Sequence, residues 1–68
     1  NPVSEFVEIG MIDIMEEVSI YNNQGQLVRH EEVNKPGVRM DLGSLTPGMY
    51  IVKVKTGQGM VTSKLLKK

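Results

Sequence analysis

Residues 42–55 of the chain read Leu42-Gly43-Ser44-Leu45-Thr46-Pro47-Gly48-Met49-Tyr50-Ile51-Val52-Lys53-Val54-Lys55. In the second half of this segment the side chains alternate between the two faces of an extended backbone. One face carries Tyr50, Val52 and Val54, and the other carries Met49, Ile51, Lys53 and Lys55. A period of two is typical of a strand that buries one face. We therefore predict a half-buried strand that begins near position 49.

The residues just before this strand predict a sharp turn. Pro47 fixes its own φ and lacks a backbone donor, and Gly48 can adopt a positive φ. Leu45 before the turn and Tyr50 after it match a corner found in immunoglobulin-like sandwiches, where the phenol bonds back to upstream backbone. We assign Tyr50 to that role; the alternative is an ordinary half-buried strand tyrosine.

Length and composition predict one small domain over residues 1–68. A chain of 68 residues buries only about 60% of its unfolded surface, so its core is small. It has no cysteine, which excludes disulfides but is neutral about the cellular compartment. With two tyrosines, one phenylalanine and no tryptophan, it offers poor material for stacking nucleic-acid bases. Because it opens with Asn1-Pro2, we expect a piece of a longer protein.

Charge is distributed unevenly although the net charge is zero. From Asn1 to Val28 every ionised side chain is acidic, namely Glu5, Glu8, Asp13, Glu16 and Glu17. From Leu42 onward every ionised side chain is basic, namely Lys53, Lys55, Lys64, Lys67 and Lys68. One interpretation is attraction between the first and last strands of a sheet, worth roughly 0.2–1 kcal/mol per opposed pair. The other is a basic C-terminal end presented to a partner.

The rest of the chain reads as further short strands separated by turns. The predicted strands are Val3–Ile9, Val18–Tyr21, Gln26–Val33, Val38–Leu42 and Met60–Leu66. The predicted breaks are Gly10, Asn22–Gly25, Lys35–Gly37 and Gly57–Gly59. Met11–Glu17 fits a short strand or irregular link, although its apolar residues also fit a helical series. Six or seven short strands at roughly 8–12-residue spacing predict an all-β antiparallel sandwich or barrel.

Catalytic and metal chemistry are poorly represented. His30 is the only histidine, and no serine or threonine stands beside it in a glycine-rich elbow. Glu31 and Glu32 would point to opposite faces of a strand, so they cannot share one metal ion. Without cysteine and with a single histidine, the chain is poor material for a zinc site. We predict a solvent-facing His30, no catalytic residue, no metal, no cofactor and no enzyme activity.

Several segments, in order, resemble one known family. Asn1-Pro2 is similar to its opening motif, Val18–Asn22 with Gly25–Val28 to its central hairpin, and Asp41–Val54 to its most recognisable segment. Lys64-Leu65-Leu66-Lys67-Lys68 is similar to its basic, apolar, basic ending. The chain thus resembles the C-terminal sorting domain of type IX secretion substrates in Bacteroidota, and the resemblance runs nearly end to end.

The resemblance implies an immunoglobulin-like sandwich that directs a secreted cargo across the outer membrane. The implied partners are an N-terminal cargo domain, a shuttle protein, an outer-membrane translocon and a sortase-like signal peptidase, and the destination is the cell surface or the medium. We predict that the machinery contacts a basic end projecting beyond the last strand, formed by Lys64, Leu65, Leu66, Lys67 and Lys68. Judged on charge alone, and without the resemblance, these lysines are better interpreted as a solvated end of the chain than as a recognition site.

The other motif residues are assigned to the fold rather than to contact with a partner. They are Asn1, Pro2, Gly25, Leu45, Pro47, Gly48 and Tyr50. Two further functions stay open at this point. One is a non-catalytic adhesion or carbohydrate-binding sandwich, and the other is an assembly module that forms a homodimer through its edge strands.

Overall fold

The domain is built from strands. A computed structural model describes residues 2–3 and 5–68, with side chains from Glu5 onward. Within these residues there is no helix, and the strands are β1 (Pro2–Val3), β2 (Phe6–Asn22), β3 (Leu27–Asp41), β4 (Gly48–Thr56) and β5 (Gly59–Lys67). It follows that the described chain contains no helix that could cross a membrane.

All five strands belong to one open sheet in the order β1-β5-β4-β2-β3. The four long strands pair antiparallel, and the two-residue β1 pairs parallel with the end of β5. The predicted all-β antiparallel class is therefore confirmed. The predicted six or seven strands and the immunoglobulin-like sandwich are not confirmed, because the described residues form fewer, longer strands.

Two of the predicted breaks are wrong because they lie inside strands. Gly10 is part of β2 and pairs with Gly37 of β3, so the proposed turn at Lys35–Gly37 is continuous strand. Pro36 is tolerated because β3 is an edge strand and Pro36 has no partner in the ladder with β2. The pairing register shifts between Gly10 and Met15. The ambiguous segment Met11–Glu17 is extended throughout.

The β2–β3 hairpin doubles back on itself. Arg29 and Asp41 both lie in β3, 12 positions apart, which would separate them by about 40 Å in a straight strand. Yet Arg29 Nε lies 3.4 Å from the Asp41 carbonyl oxygen. The described chain is also only 31 Å in its longest dimension. The start of β2 (residues 6–10) and the end of β3 (residues 37–41) therefore fold over the rest of the sheet.

This folding encloses a small apolar core. The predicted inward face of β4 is confirmed, since Tyr50, Val52 and Val54 are all buried. They pack with Met15, Val18, Ile20, Val33, Met40, Leu42 and Leu65. Val7, Ile9 and Val38, from the folded-over ends of the hairpin, pack against the same cluster. The core thus lies between the inner face of the sheet and its own returning ends.

Candidate functional site

The terminal strand β5 divides the predicted contact residues between two faces. Leu65 is 5% exposed and Lys67 is 7% exposed, whereas Leu66 is 43% exposed. Lys64 and Lys68 are also exposed. In the ladder, Lys64 stands opposite Ile51, and Leu66 stands opposite Met49. The outward residues of the terminus are therefore Lys64 and Leu66, with Lys68 directly after the strand.

Lys67 corrects the prediction of a projecting basic end. It lies within β5, opposite Gly48 on one side and Val3 on the other. Its Nζ lies 3.5 Å from the Lys68 carbonyl oxygen. Its aliphatic stem can be buried at little cost because only the ammonium group requires solvation or a polar partner. The predicted position of Lys67 beyond the last strand is wrong, and only Lys68 follows β5.

The corner before β4 has the predicted geometry. Gly48 has a φ of +150°, which L side chains rarely adopt. The buried Tyr50 hydroxyl donates a hydrogen bond to the Thr46 carbonyl oxygen, which is the upstream backbone bond expected of a tyrosine corner. Leu45 packs against the core, and its backbone N–H donates to the Leu42 carbonyl at 3.0 Å. The segment that connects β3 to β4 is thus held at both ends.

Of the other motif residues, Gly25 lies in a turn and Pro2 lies in β1. Gly25 has a φ of +84° in the turn between β2 and β3, where it donates to the Asn22 carbonyl at 3.0 Å. Asn22 Oδ1 accepts from two backbone N–H groups of this turn, at Gln24 and Gln26. Pro2 pairs through its backbone with Leu66. The prediction for Asn1 lies outside the described residues.

His30 faces solvent, as predicted, and forms a surface pair. His30 Nε2 lies 2.8 Å from Glu17 Oε1. The hydrogen bond from His30 lowers the pKa of Glu17 from its ordinary value of 4.5, and the charge of Lys55 contributes less. Lys55 Nζ lies 3.8 Å from Glu17 and 4.0 Å from Glu16. The described side chains include no group of three or more His, Cys, Asp or Glu residues placed to hold a metal ion.

Sequence reasoning did not connect the terminal residues to the outer face of β4. Tyr21, Ile51 and Lys64 lie opposite one another across three neighbouring strands. Lys53 Nζ lies 5.2 Å from the centre of the Tyr21 ring. The alternation of residues 49–55 placed Ile51 and Lys53 on this face, but only the strand order shows that Lys64 lies beside them.

Comparison with protein families gives a match over residues 1–68, to the secretion system C-terminal sorting domain. Comparison with curated proteins gives no match. The family is a sorting signal rather than a catalytic domain, and it implies a parent cargo protein and export to the cell surface or extracellular space. The chain belongs to the secretion system C-terminal sorting domain family, and it is a C-terminal sorting signal of type IX secretion cargo.

Proposed function

We propose that residues 1–68 act as a single domain that carries a cargo domain of its parent protein through the envelope of a Bacteroidota cell. The cargo crosses the periplasm and the outer membrane and reaches the cell surface or the medium. A shuttle protein, an outer-membrane translocon and a sortase-like signal peptidase are the partners. The match of the sorting-domain family to the whole chain is the observation that carries this proposal.

Within this function, Lys64, Leu66 and Lys68 are the terminal residues that contact the machinery. This assignment is supported by the exposure of all three side chains at the end of β5. Leu65 and Lys67 hold the strand in place, a role favoured by their burial. Recognition therefore uses one side of the final strand and the residue that follows it.

An immunoglobulin-like sandwich is the architecture that we propose for the domain. The Tyr50 hydroxyl bond to Thr46 supports it, since this bond is a mark of such folds. The doubled-back hairpin also supports it, because it brings a second layer of strand over the core. By covering the core, this second layer keeps a small sorting signal folded during its passage through the periplasm.

A fusion experiment tests the sorting function. Residues 1–68 are placed after a reporter in a bacterium with an active type IX system, and the reporter without the domain is the control. We expect the fusion at the surface or in the medium and the control in the periplasm. Retention of the fusion in the periplasm, with the domain folded, would contradict the proposal.

Substitution of Lys68 tests the terminal contact better than deletion does. Removing Lys67 together with Lys68 would also remove the ladder partner of Gly48, so lost export could reflect a damaged fold. Lys68→Glu reverses one charge beyond the strand, and we expect reduced surface delivery. Lys35→Glu, at an exposed position of β3, is the matched control. Equal surface delivery of both variants would show that Lys68 does not contact the machinery.

A homodimer formed through an edge strand is the second candidate. β1 pairs with β5 at Leu66 and Lys67 only. Among the described residues, the rest of the outer edge of β5 has no partner strand, and Met60 and Val61 are exposed there. Exposed apolar edges favour pairing between chains. Sedimentation at increasing concentration tests this: a dimer should become a monomer in Val61→Lys, whereas a concentration-independent monomer contradicts it.

A further inference from the structure

The outer face of the sheet carries an apolar area beside two lysines, at the end of the sheet that holds the last residues of β5. We call this area the basic–apolar patch, and its members are Tyr21, Met49, Ile51, Lys53, Lys64 and Leu66. In the ladder, Ile51 lies between Tyr21 and Lys64. Met49 and Leu66 form the adjacent pair and are each 43% exposed. These side chains lie at cross-strand pairing distance on three neighbouring strands, β2, β4 and β5, and therefore form one continuous surface.

The shape of the patch suits a protruding side chain of a partner. A shallow cavity of about 490 Å³ lies on this face, and Tyr21, Met49, Ile51 and Lys53 are among its lining residues. The turn between β2 and β3 forms its rim. An exposed apolar area bordered by polar groups is typical of a protein-binding site.

The charges of the patch specify the chemistry of that partner. Among the described residues, neither Lys53 nor Lys64 has a carboxylate within 4.0 Å, whereas Lys55 on the same face is close to Glu16 and Glu17. The carboxylates of Glu16 and Glu17 thus lie near Lys55, at the opposite end of this face from Lys64. We propose that the basic–apolar patch docks an acidic, apolar-centred surface of a type IX secretion protein. This inference rests on the proposed function and extends the contact from the terminus to three strands.

A second copy of the chain fits the patch less well than an acidic partner does. A two-fold dimer places the same patch on both sides of its interface. Lys53 and Lys64 of each copy would then meet cations, and like charges across an interface cost affinity. An anionic membrane would match the charge. However, the apolar side chains lie on a regular sheet face rather than on a projecting loop, so they would enter a bilayer only slightly.

Two double variants with the same chemistry test the patch in the reporter fusion. Met49→Thr/Lys64→Glu alters the patch. Met60→Thr/Lys35→Glu makes the same substitutions elsewhere, because Met60 lies at the other end of the outer face, opposite Lys55, and Lys35 lies on β3. We expect the patch variant to lower surface delivery by about tenfold or more and the control to change it by less than about twofold.

Folding and the competing binding modes need separate measurements. Melting of each purified variant shows whether the domain is folded. If the patch variant does not fold, Lys53→Met/Lys64→Met replaces it. This variant removes the two charges and leaves the apolar residues of the patch unchanged. We expect the same loss of surface delivery. Normal delivery of a folded patch variant would overturn the inference and leave the sorting function intact.

Two further results would also overturn the inference. One is binding of the wild-type chain to vesicles of phosphatidylglycerol that the patch variant loses, which would assign the patch to lipid. The other is a wild-type dimer that the patch variant converts to a monomer, which would assign it to a second copy. Failure of the unmodified fusion to reach the surface would overturn the proposed function, and this inference with it.

Discussion

At the scale of single residues, the corner before β4 depends on the backbone of Gly48. Its φ of +150° is rarely adopted by L residues, although an added Cβ would meet no atom within 4 Å. The cost of a side chain is therefore conformational rather than steric. We expect Gly48→Val to lower the free energy of unfolding by more than about 1 kcal/mol.

Urea unfolding measures this effect, and Gly10→Val is the control. Gly10 lies in β2 without a positive φ, and its added Cβ would be 3.8 Å from the nearest atom, the Pro36 carbonyl oxygen. Valine suits such a position. Equal stability of Gly48→Val and wild type would show that the corner tolerates an ordinary residue.

The Tyr50 hydroxyl makes a second residue-scale contribution. Tyr50→Phe keeps the buried ring but leaves the Thr46 carbonyl without its phenol donor, so we expect a loss of about 1 kcal/mol. Tyr21→Phe is the matched control, because the described residues provide no hydrogen-bond partner for the Tyr21 hydroxyl and its ring is only partly buried. Comparison of the two unfolding midpoints checks this, and equal midpoints would contradict a structural role for the corner bond.

The pair formed by His30 and Glu17 predicts a pH effect of known sign. The pKa of Glu17 is lowered, mainly by its hydrogen bond with His30. The contribution of a carboxyl with a lowered folded pKa is present above its unfolded pKa and is lost as the pH falls through the folded value. The stability difference between wild type and His30→Ala should therefore shrink as the pH falls below about 4.5.

Carboxyl-carbon NMR titration measures the pKa itself. We expect His30→Ala to raise the pKa of Glu17 towards 4.5, and Lys55→Ala to raise it less, because the hydrogen bond of His30 is the larger cause. The opposite order would show that the charge of Lys55, and not the hydrogen bond, sets the pKa.

At the scale of elements, Arg29 holds the end of β3 in its folded-over position through hydrogen bonds. Its guanidinium donates to the carbonyl oxygens of Asp41 and Val28 and to the Ser44 hydroxyl. Lysine cannot reproduce this fork of donors. We expect Arg29→Lys to speed amide hydrogen exchange in residues 6–10 and 37–41 while leaving the centre of β4 protected.

Arg39→Lys is the control for this exchange experiment. Arg39 is exposed, and its described contact is with the ring of Phe6, 4.0 Å from the ring centre. A lysine can keep a cation over that ring. Uniform protection in Arg29→Lys would show that apolar packing alone holds the returning ends in place.

The same elements show where sequence reasoning succeeds. The inward face of β4 and the turn that contains Gly25 follow from local rules, since alternation and φ preferences act within a few residues. The continuity of β2 through Gly10 does not, because it depends on pairing with Gly37, far along the chain. The burial of Lys67 was missed for a related reason: β5 continues to that residue, and alternation then turns it inward.

At the scale of the whole molecule, stability and recognition draw on different parts of the surface. The ion pairs of Lys55 with Glu16 and Glu17 span 3.8–4.0 Å between partly exposed side chains. Exposed pairs of this kind contribute little and are screened by salt. The core, in contrast, is a cluster of buried apolar side chains. The opposite charges of the two halves of the chain therefore matter little for holding the sheet together.

This separation predicts a different response to salt for folding and for docking. Raising NaCl from about 0.05 to about 0.5 M should shift the melting midpoint by less than Tyr50→Phe does, because the net charge is zero and the core is uncharged. Export in the fusion assay should still depend on Lys53 and Lys64, which have no carboxylate within 4.0 Å among the described residues. Calorimetry at the two salt concentrations checks the first expectation. A larger salt shift would mean that surface charges stabilise the fold, and lost export on replacement of Lys53 and Lys64 would then not by itself identify a docking surface.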